Sequence, residues 1–597
     1  MKNVSKYRMC FVLLSFFLVI VALLVRGGVG FAIENPADTT IDYTLTGDPN
    51  CTNYGTIDAE DKDEEHGMYV EGKDNEGVSH YASNFGKVIT RGWYAYGMYA
   101  ESGAIATNEN EGTITTLGDW AHSMVAEDGS TATNNGHIET EGWGSCGISA
   151  EHSSTAINNG RIETNGEWAE GMYAWDGSTA TNNGSIITQG KEAHGMYVEK
   201  DSIATNNGHI ETEGNDACGM LALDGSTATN NGSIITQGQN AYGMTNFSYG
   251  VMVASPEDNS GSATAVITNN GSISTYGNWA HGMYIRGGYF PIPLSTAINN
   301  GSIETNGLGS FGMMAGYGST ATNNGSIITQ GQNAYGMTNF YLPMLRGTLP
   351  YGADNSYGVM VASPEDNSGS ATAVITNNGS ISTYGNWAHG VYIVGDYFPI
   401  FFYTNSDDNN EFVTKAVNNG DITTQGEVAF GMVALYDSTA TNESVGTIAT
   451  YGKEAYGMYA EYNSKINNFG NIITKGEKAY GMYARIPFPY DGYTPVPLSA
   501  AKVINSGTIA TYGNWAHGMY IRGYYAQPPA PKSFDDDISD DTSTAINTGT
   551  ITVTGEGADA VYVDNSTFTN SGTLDSLRGN AITSVNSTVT LEDGTKL

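Results

Sequence analysis

Six histidines, His66, His122, His194, His281, His389 and His517, fall at one position of a recurring A-x-G-M-Y phrase or its variants. A column of imidazoles could hold metal ions. No two of these histidines occupy consecutive copies, however, and ring nitrogens must converge to within about 2.1 Å of a shared ion. They are read as outward surface histidines, and no metal is assigned. The acidic runs 58–65, 407–411 and 535–541 lack the spaced D-x-D-x-D-G loop and the G-G-x-G-x-D repeat of calcium sites, so they read as solvated charge. Hydrolases and lyases need a local cluster of carboxylates or basic groups. Asp536 and Asp537 have no evident partner acid or orienting base, and the chain holds only 24 Lys and Arg. No catalytic residue and no cofactor is assigned. Beyond the first 32 residues the cysteines are Cys51, Cys146 and Cys218, with no C-x-x-C pair, which reads as isolated thiols.

The aromatic residues are more informative. Tyr289 and Phe290 precede Pro291; Tyr397, Phe398, Phe401 and Tyr403 crowd one insertion; Phe488 and Tyr490 flank Pro489 in another. Exposed aromatic loops on a rigid scaffold suit binding of a glycan or of a host or cell-surface protein. Trp93, Trp120, Trp143, Trp168, Trp279, Trp387 and Trp515 fall just ahead of A-x-G-M-Y. They read either as a stacking stripe, with Trp279, Trp387 and Trp515 beside the loops, or as caps on a corner of the backbone. Paired threonines such as Thr179 and Thr181 suggest a third possibility, an ice-binding array, which Ile157, Ile203 and Ile298 interrupt.

These residues are positioned by a repeat. The unit S-T-A-T-N-N-G-S-I-I-T-Q-G-K-E-A-H-G-M-Y-V-E-K-D spans 178–201, and its glycine recurs at a 24-residue step through Gly112, Gly136, Gly160, Gly184, Gly208 and Gly232. Its three pieces, T-A-T-N-N, S-I-I-T and A-x-G-M-Y, are β-branched or aromatic and bounded by Gly, Asn or Asp, which predicts three short strands per unit. So short a unit buries nothing alone and must stack on its copies, so the chain is expected to be an all-β parallel β-helix of about 18 coils.

Period-two alternation points Ala180 and Asn182 inward on the first strand, and Ile186 and Thr188 inward on the second. Asn158, Asn182, Asn206 and Asn230 are expected to form an amide ladder. Gly184 is expected to turn the corner through a positive φ. On the third strand simple alternation cannot hide both the small residues and the Met, so a bulge at the Gly is predicted. The freely varying residue between Ala and Gly (His194, Tyr242, Phe311, Glu170, Cys218) reads as solvent-facing.

Insertions enter after A-x-G-M-Y at 287–294, 395–412, 486–498 and 523–541, so the long loops gather at one corner. The stretch 227–285 is repeated as 320–393 apart from Met283 becoming Val391 and one insertion, which marks an internal duplication. Basic Lys2, Lys6 and Arg8 precede the apolar run 10–25 and a small-residue site at Gly30 and Ala32, the pattern of a secretory signal over 1–32. A lead-in over 33–44 and a repeat domain over 45–597 follow. No later apolar run is long enough for a transmembrane helix. The net charge of −38 disfavours nucleic acid and anionic lipid as partners.

The phrase I-N-N-G-x-I-x-T-x-G-x-x-A-x-G-M-Y-A at 157–174 resembles the repeat of passenger domains of bacterial autotransporters, many of them adhesins or surface antigens. The resemblance covers roughly 45–597 and implies a right-handed β-helix, exported and threaded through an outer-membrane translocator barrel. The closing stretch 581–597 shows no series of alternating strands with aromatic girdles. No barrel is therefore expected in this chain, and its translocator is expected to be separate or missing. The chain reads as a non-catalytic, adhesin-like passenger, secreted or at the cell surface of a Gram-negative-type bacterium. A polysaccharide-processing β-helix enzyme and an ice-binding solenoid are the alternatives.

Overall fold

The computed structural model describes residues 33–47, 50–59, 62–73, 77–247, 265–286, 295–316, 319–338, 374–394, 414–486, 501–523 and 542–597. Residues 1–32, where a secretory signal is expected, and nearly all of the aromatic insertions lie outside these. The chain divides into two compact units, Met1–Asn165 and Gly166–Leu597. Each is all-β and consists of the same three-strand round, repeated, with its strands in three parallel sheets.

In the first unit, Tyr81–Asn84, Ile105–Asn108 and Thr131–Asn134 neighbour one another in the first sheet, Lys87–Thr90 and Thr113–Thr116 in the second, and Met98–Glu101 and Met124–Ala126 in the third. The lead-in already carries strands, Ile33–Asn35 pairing with Asn50–Asn53 and Thr40–Ile41 with Thr56–Asp58. In the second unit Thr179–Asn182 pairs with Ile203–Asn206, Ser185–Thr188 with His209–Thr212, and Met196–Glu199 with Met220–Ala222. Pairing is in register, so each residue type forms a column. This is a parallel β-helix.

The interior follows the alternation of the first two strands. Ala180, Asn182, Ile186 and Thr188 are fully buried. Asn182 Nδ2 donates to Asn206 Oδ1 at 2.7 Å and Asn206 Nδ2 to Asn230 Oδ1 at 2.8 Å. In the first unit Asn134 Nδ2 donates to Asn158 Oδ1 at 2.8 Å. An outer ladder runs alongside, Asn207 donating to Asn183 and Asn231 to Asn207. Thr188 Oγ1 donates to the Ala193 carbonyl at 2.7 Å, so the inward hydroxyl is satisfied by the corner of its own coil.

Three expectations are corrected. The N-N-G glycine is not in the left-handed region; at Gly208 a Cβ would collide with the Gly184 carbonyl oxygen of the preceding coil. Close approach of stacked backbones, rather than a positive φ, demands glycine there. No bulge is needed in the third strand. Ala193 lies on the corner, the strand begins at Met196, and both are buried, while Gly195 leaves space for Ile210 of the next coil. Finally, the varying position is not solvent-facing. Cys218 is 2 %, Phe311 7 % and Glu170 8 % exposed, because this side chain lies along the corner against its counterpart in the neighbouring coil.

Candidate ligand-binding recess

The varying corner position therefore forms a ladder of rings. In the second unit Tyr242 stacks on His281 at 5.2 Å, His281 on Phe311 at 4.6 Å and Phe311 on Tyr335 at 5.0 Å. Further on, His389 stacks on Phe430 at 4.8 Å, Phe430 on Tyr456 at 4.6 Å and Tyr456 on Tyr480 at 4.9 Å. The histidines read as surface groups are thus part of a packed stack. His281 is 7 % and His389 4 % exposed. Each ring also accepts a hydrogen bond: Nδ1 of His194, His281 and His389 takes the backbone N–H of Cys218, Phe311 and Phe430 at 2.9, 3.0 and 2.9 Å. Burial lowers the pKa of His194 to about 4 and of His281 and His389 to about 3. The neutral imidazole with hydrogen on Nε2 is the form this geometry needs.

The tryptophans occupy two registers. Trp120, Trp168, Trp279, Trp387 and Trp515 sit at the second corner with φ of 54° to 58°, while Trp93 and Trp143 fall one residue earlier. The left-handed backbone lays the indole along the corner. A Cβ on Gly309 of the following coil would lie 2.7 Å from the Trp279 ring, and one on Gly557 2.8 Å from the Trp515 ring. Trp279, Trp387 and Trp515 keep 37 %, 42 % and 56 % of their surface in solvent. Trp279 and Trp515 are thus covered on one side by the following coil and open on the other.

Trp387 joins a concavity. A recess of roughly 320 Å³ is lined by Asn333, Tyr335, Trp387 and His389 from the corner and by Tyr392, Val433, Tyr459 and Tyr483 from the outward face of the third sheet. Its floor is the ring ladder: Tyr335 stacks on Tyr392 at 4.9 Å, and Phe430 leans on Tyr459 at 5.2 Å. At one rim the Tyr459 hydroxyl donates to Glu461, which also pairs with Arg485 of the next coil. Burial, with the Glu461 charge adding, drives the Tyr459 pKa well above its ordinary value. Burial works against the Arg485 cation, but Tyr459 and Glu461 more than offset it, so its pKa is raised. The Arg485 side chain is 46 % exposed against 9 % for Glu461, which leaves guanidinium donors at the opening. Such a surface presents ring faces to apolar or C–H groups and a fork of donors to a hydroxyl or carboxylate.

Of the expected ligand contacts, Tyr289, Phe290, Tyr397, Phe398, Phe401, Tyr403, Phe488 and Tyr490 lie outside the described residues. Tyr392, Tyr459, Tyr483, Glu461 and Arg485 were not singled out from the sequence, although they fall at two fixed positions of the repeat, the Y of A-x-G-M-Y and the residue two beyond it. Among the described residues no helix is long and apolar enough to cross a membrane.

No curated protein matches the chain. Among solved structures, a chain in the cryo-EM structure of the Vag8–C1 inhibitor complex is similar at 13 % identity and a TM-score of 0.48, covering 92 % of this chain and 100 % of that one. The family model of the BigA third pectate lyase-like domain matches residues 50–216, 206–289, 292–396 and 414–524. Its repeated match spans most of the sequence, and the chain therefore belongs to the family of the BigA third pectate lyase-like domain.

Proposed function

We propose that this passenger is displayed on, or released from, the surface of a Gram-negative-type bacterium and acts as an adhesin-like binder, with the Trp387–Arg485 recess as its contact site. The observation that carries this reading is a single recess in which an open indole, a stacked floor of tyrosine, histidine and phenylalanine rings and a half-exposed guanidinium converge. Sugar rings and the apolar or aromatic side chains of a host protein share the chemistry such a wall recognises: C–H or ring faces against aromatic faces, with a polar group held by arginine. An enzyme would need a base free to take a proton. Glu461 is instead engaged by the Tyr459 hydroxyl and by Arg485.

The test is to probe the full chain and the double variant Trp387→Ala, Arg485→Ala on arrays of glycans and of extracellular-matrix proteins. Binding by the parent that falls at least about tenfold in the variant supports the recess, and the array that responds separates sugar from protein. Binding unchanged in a variant with native circular dichroism and melting would move recognition elsewhere.

A further inference from the structure

Four glutamates end successive strands of the third sheet in the first unit: Glu71 in Met68–Glu71, Glu101 in Met98–Glu101, Glu127 directly after Met124–Ala126, and Glu151 in Ile148–Glu151. Glu71 is the register partner of Glu101, and Ala126 is paired with both Ala100 and Ala150. Their backbones are therefore stacked at about 4.8 Å, where like charges oppose each other. The second unit handles this register differently. Glu461 pairs with Arg485, Asp564 with Arg522, and the two arginines are themselves register partners. Acid, base, base and acid balance there. In the first unit none of the four strands contains Lys or Arg; the nearest lysine in sequence, Lys73, lies beside Gly103.

What the first unit places there is an imidazole. His152 Nδ1 lies 3.4 Å from Glu127 Oε1 and 3.8 Å from Asp128 Oδ1. One donor atom each from Glu127, Glu151 and His152 lies within 4.8 Å of the others. A tetrahedron with bonds of about 2.1 Å has an edge of about 3.4 Å, the Glu127–His152 separation. Both carboxylates are oriented from outside the trio. The Tyr99 hydroxyl donates to Glu127 Oε2 at 2.6 Å, turning Oε1 toward His152, and Ser149 Oγ donates to Glu151 Oε1 at 2.9 Å. Hydroxyl partners of this kind fix metal ligands in their binding orientation.

We propose that Glu127, Glu151 and His152 bind one divalent first-row transition cation of the Zn²⁺ type, which supplies to this column the positive charge that Arg485 and Arg522 supply in the second unit. Two carboxylates and an imidazole favour such a cation over Ca²⁺, which takes an all-oxygen shell.

The experiment is calorimetric titration of the chelator-treated full chain with ZnCl₂ and, separately, CaCl₂, with melting curves of every variant before metal is added. The expected result is one Zn²⁺ per chain, bound at least about tenfold more tightly than Ca²⁺; the site is abolished in Glu151→Gln with His152→Asn, and weakened about tenfold in Tyr99→Phe. Equal affinity for the two ions, or Zn²⁺ binding retained in the double variant, would overturn the proposal. Should the double variant fail to fold, the parent decides: Zn²⁺ raises its melting temperature and Ca²⁺ at the same concentration does not, and no Zn²⁺-specific rise would overturn the site.

Discussion

Acidifying the protein from pH 7 to pH 5 loads protons onto the unfolded chain before the folded one. His281 and His389 have pKa values of about 3 in the fold, lowered by burial, against about 6.5 when unfolded. Between these limits the unfolded state binds more protons, so stability rises with pH; it is complete above about 6.5 and is lost as pH falls toward 3. At pH 5 the unfolded histidine is protonated with 1.5 pH units to spare and the folded one is neutral, so each residue subtracts about 2 kcal/mol. The structural cause is direct, since protonated Nδ1 cannot accept the Phe311 or Phe430 N–H. Hydrogen exchange of the Gly390 and Val391 amides, which bond to the Phe430 and Gly431 carbonyls, reads the local opening energy. In His389→Tyr, the residue that Tyr335 and Tyr456 already place in this ladder, the fall in opening energy from pH 7 to pH 5 shrinks by about 2 kcal/mol. An identical fall in parent and variant would refute the reasoning, because titrating groups other than His389 would then account for all of it.

Two other perturbations test the stacking itself. Gly208→Ala forces a Cβ into the Gly184 carbonyl and is expected to destabilise by about 1–3 kcal/mol or more in urea unfolding, whereas a neutral result would mean the coils are less closely stacked than described. Cys218, whose pKa burial pushes up to about 12, is expected to resist a thiol reagent at pH 8 in the native protein and to react fully once the protein is unfolded; rapid native labelling would contradict its burial.

How far the fold was legible depends on the strand. In T-A-T-N and S-I-I-T the alternation of small or apolar residues with polar ones assigns Ala180, Asn182, Ile186 and Thr188 to the interior, where they are found. In A-H-G-M-Y the period fails, because Ala193 is placed by the corner and only Met196 onward by the strand. The N-N-G glycines were legible as invariant features of the repeat but not in their cause, since the collision is with a carbonyl one coil, 24 residues, away. The ring ladder was hidden for the same reason. Variation among His, Tyr, Phe, Cys and Glu looks like tolerance of solvent along one coil, and becomes stacking only when neighbouring coils are superposed. Glu461 with Arg485, and Glu127 with Glu151, likewise carry meaning only as columns, which a single-coil reading does not align.

The most direct test of the binding account is the structure of the full chain with whichever sugar or protein ligand the arrays identify. The account predicts ligand density in the recess, against the Trp387 indole and the Tyr392 and Tyr459 rings, with a polar group at the Arg485 guanidinium. Density confined to the 287–294, 395–412 or 486–498 insertions, with the recess empty, would contradict it.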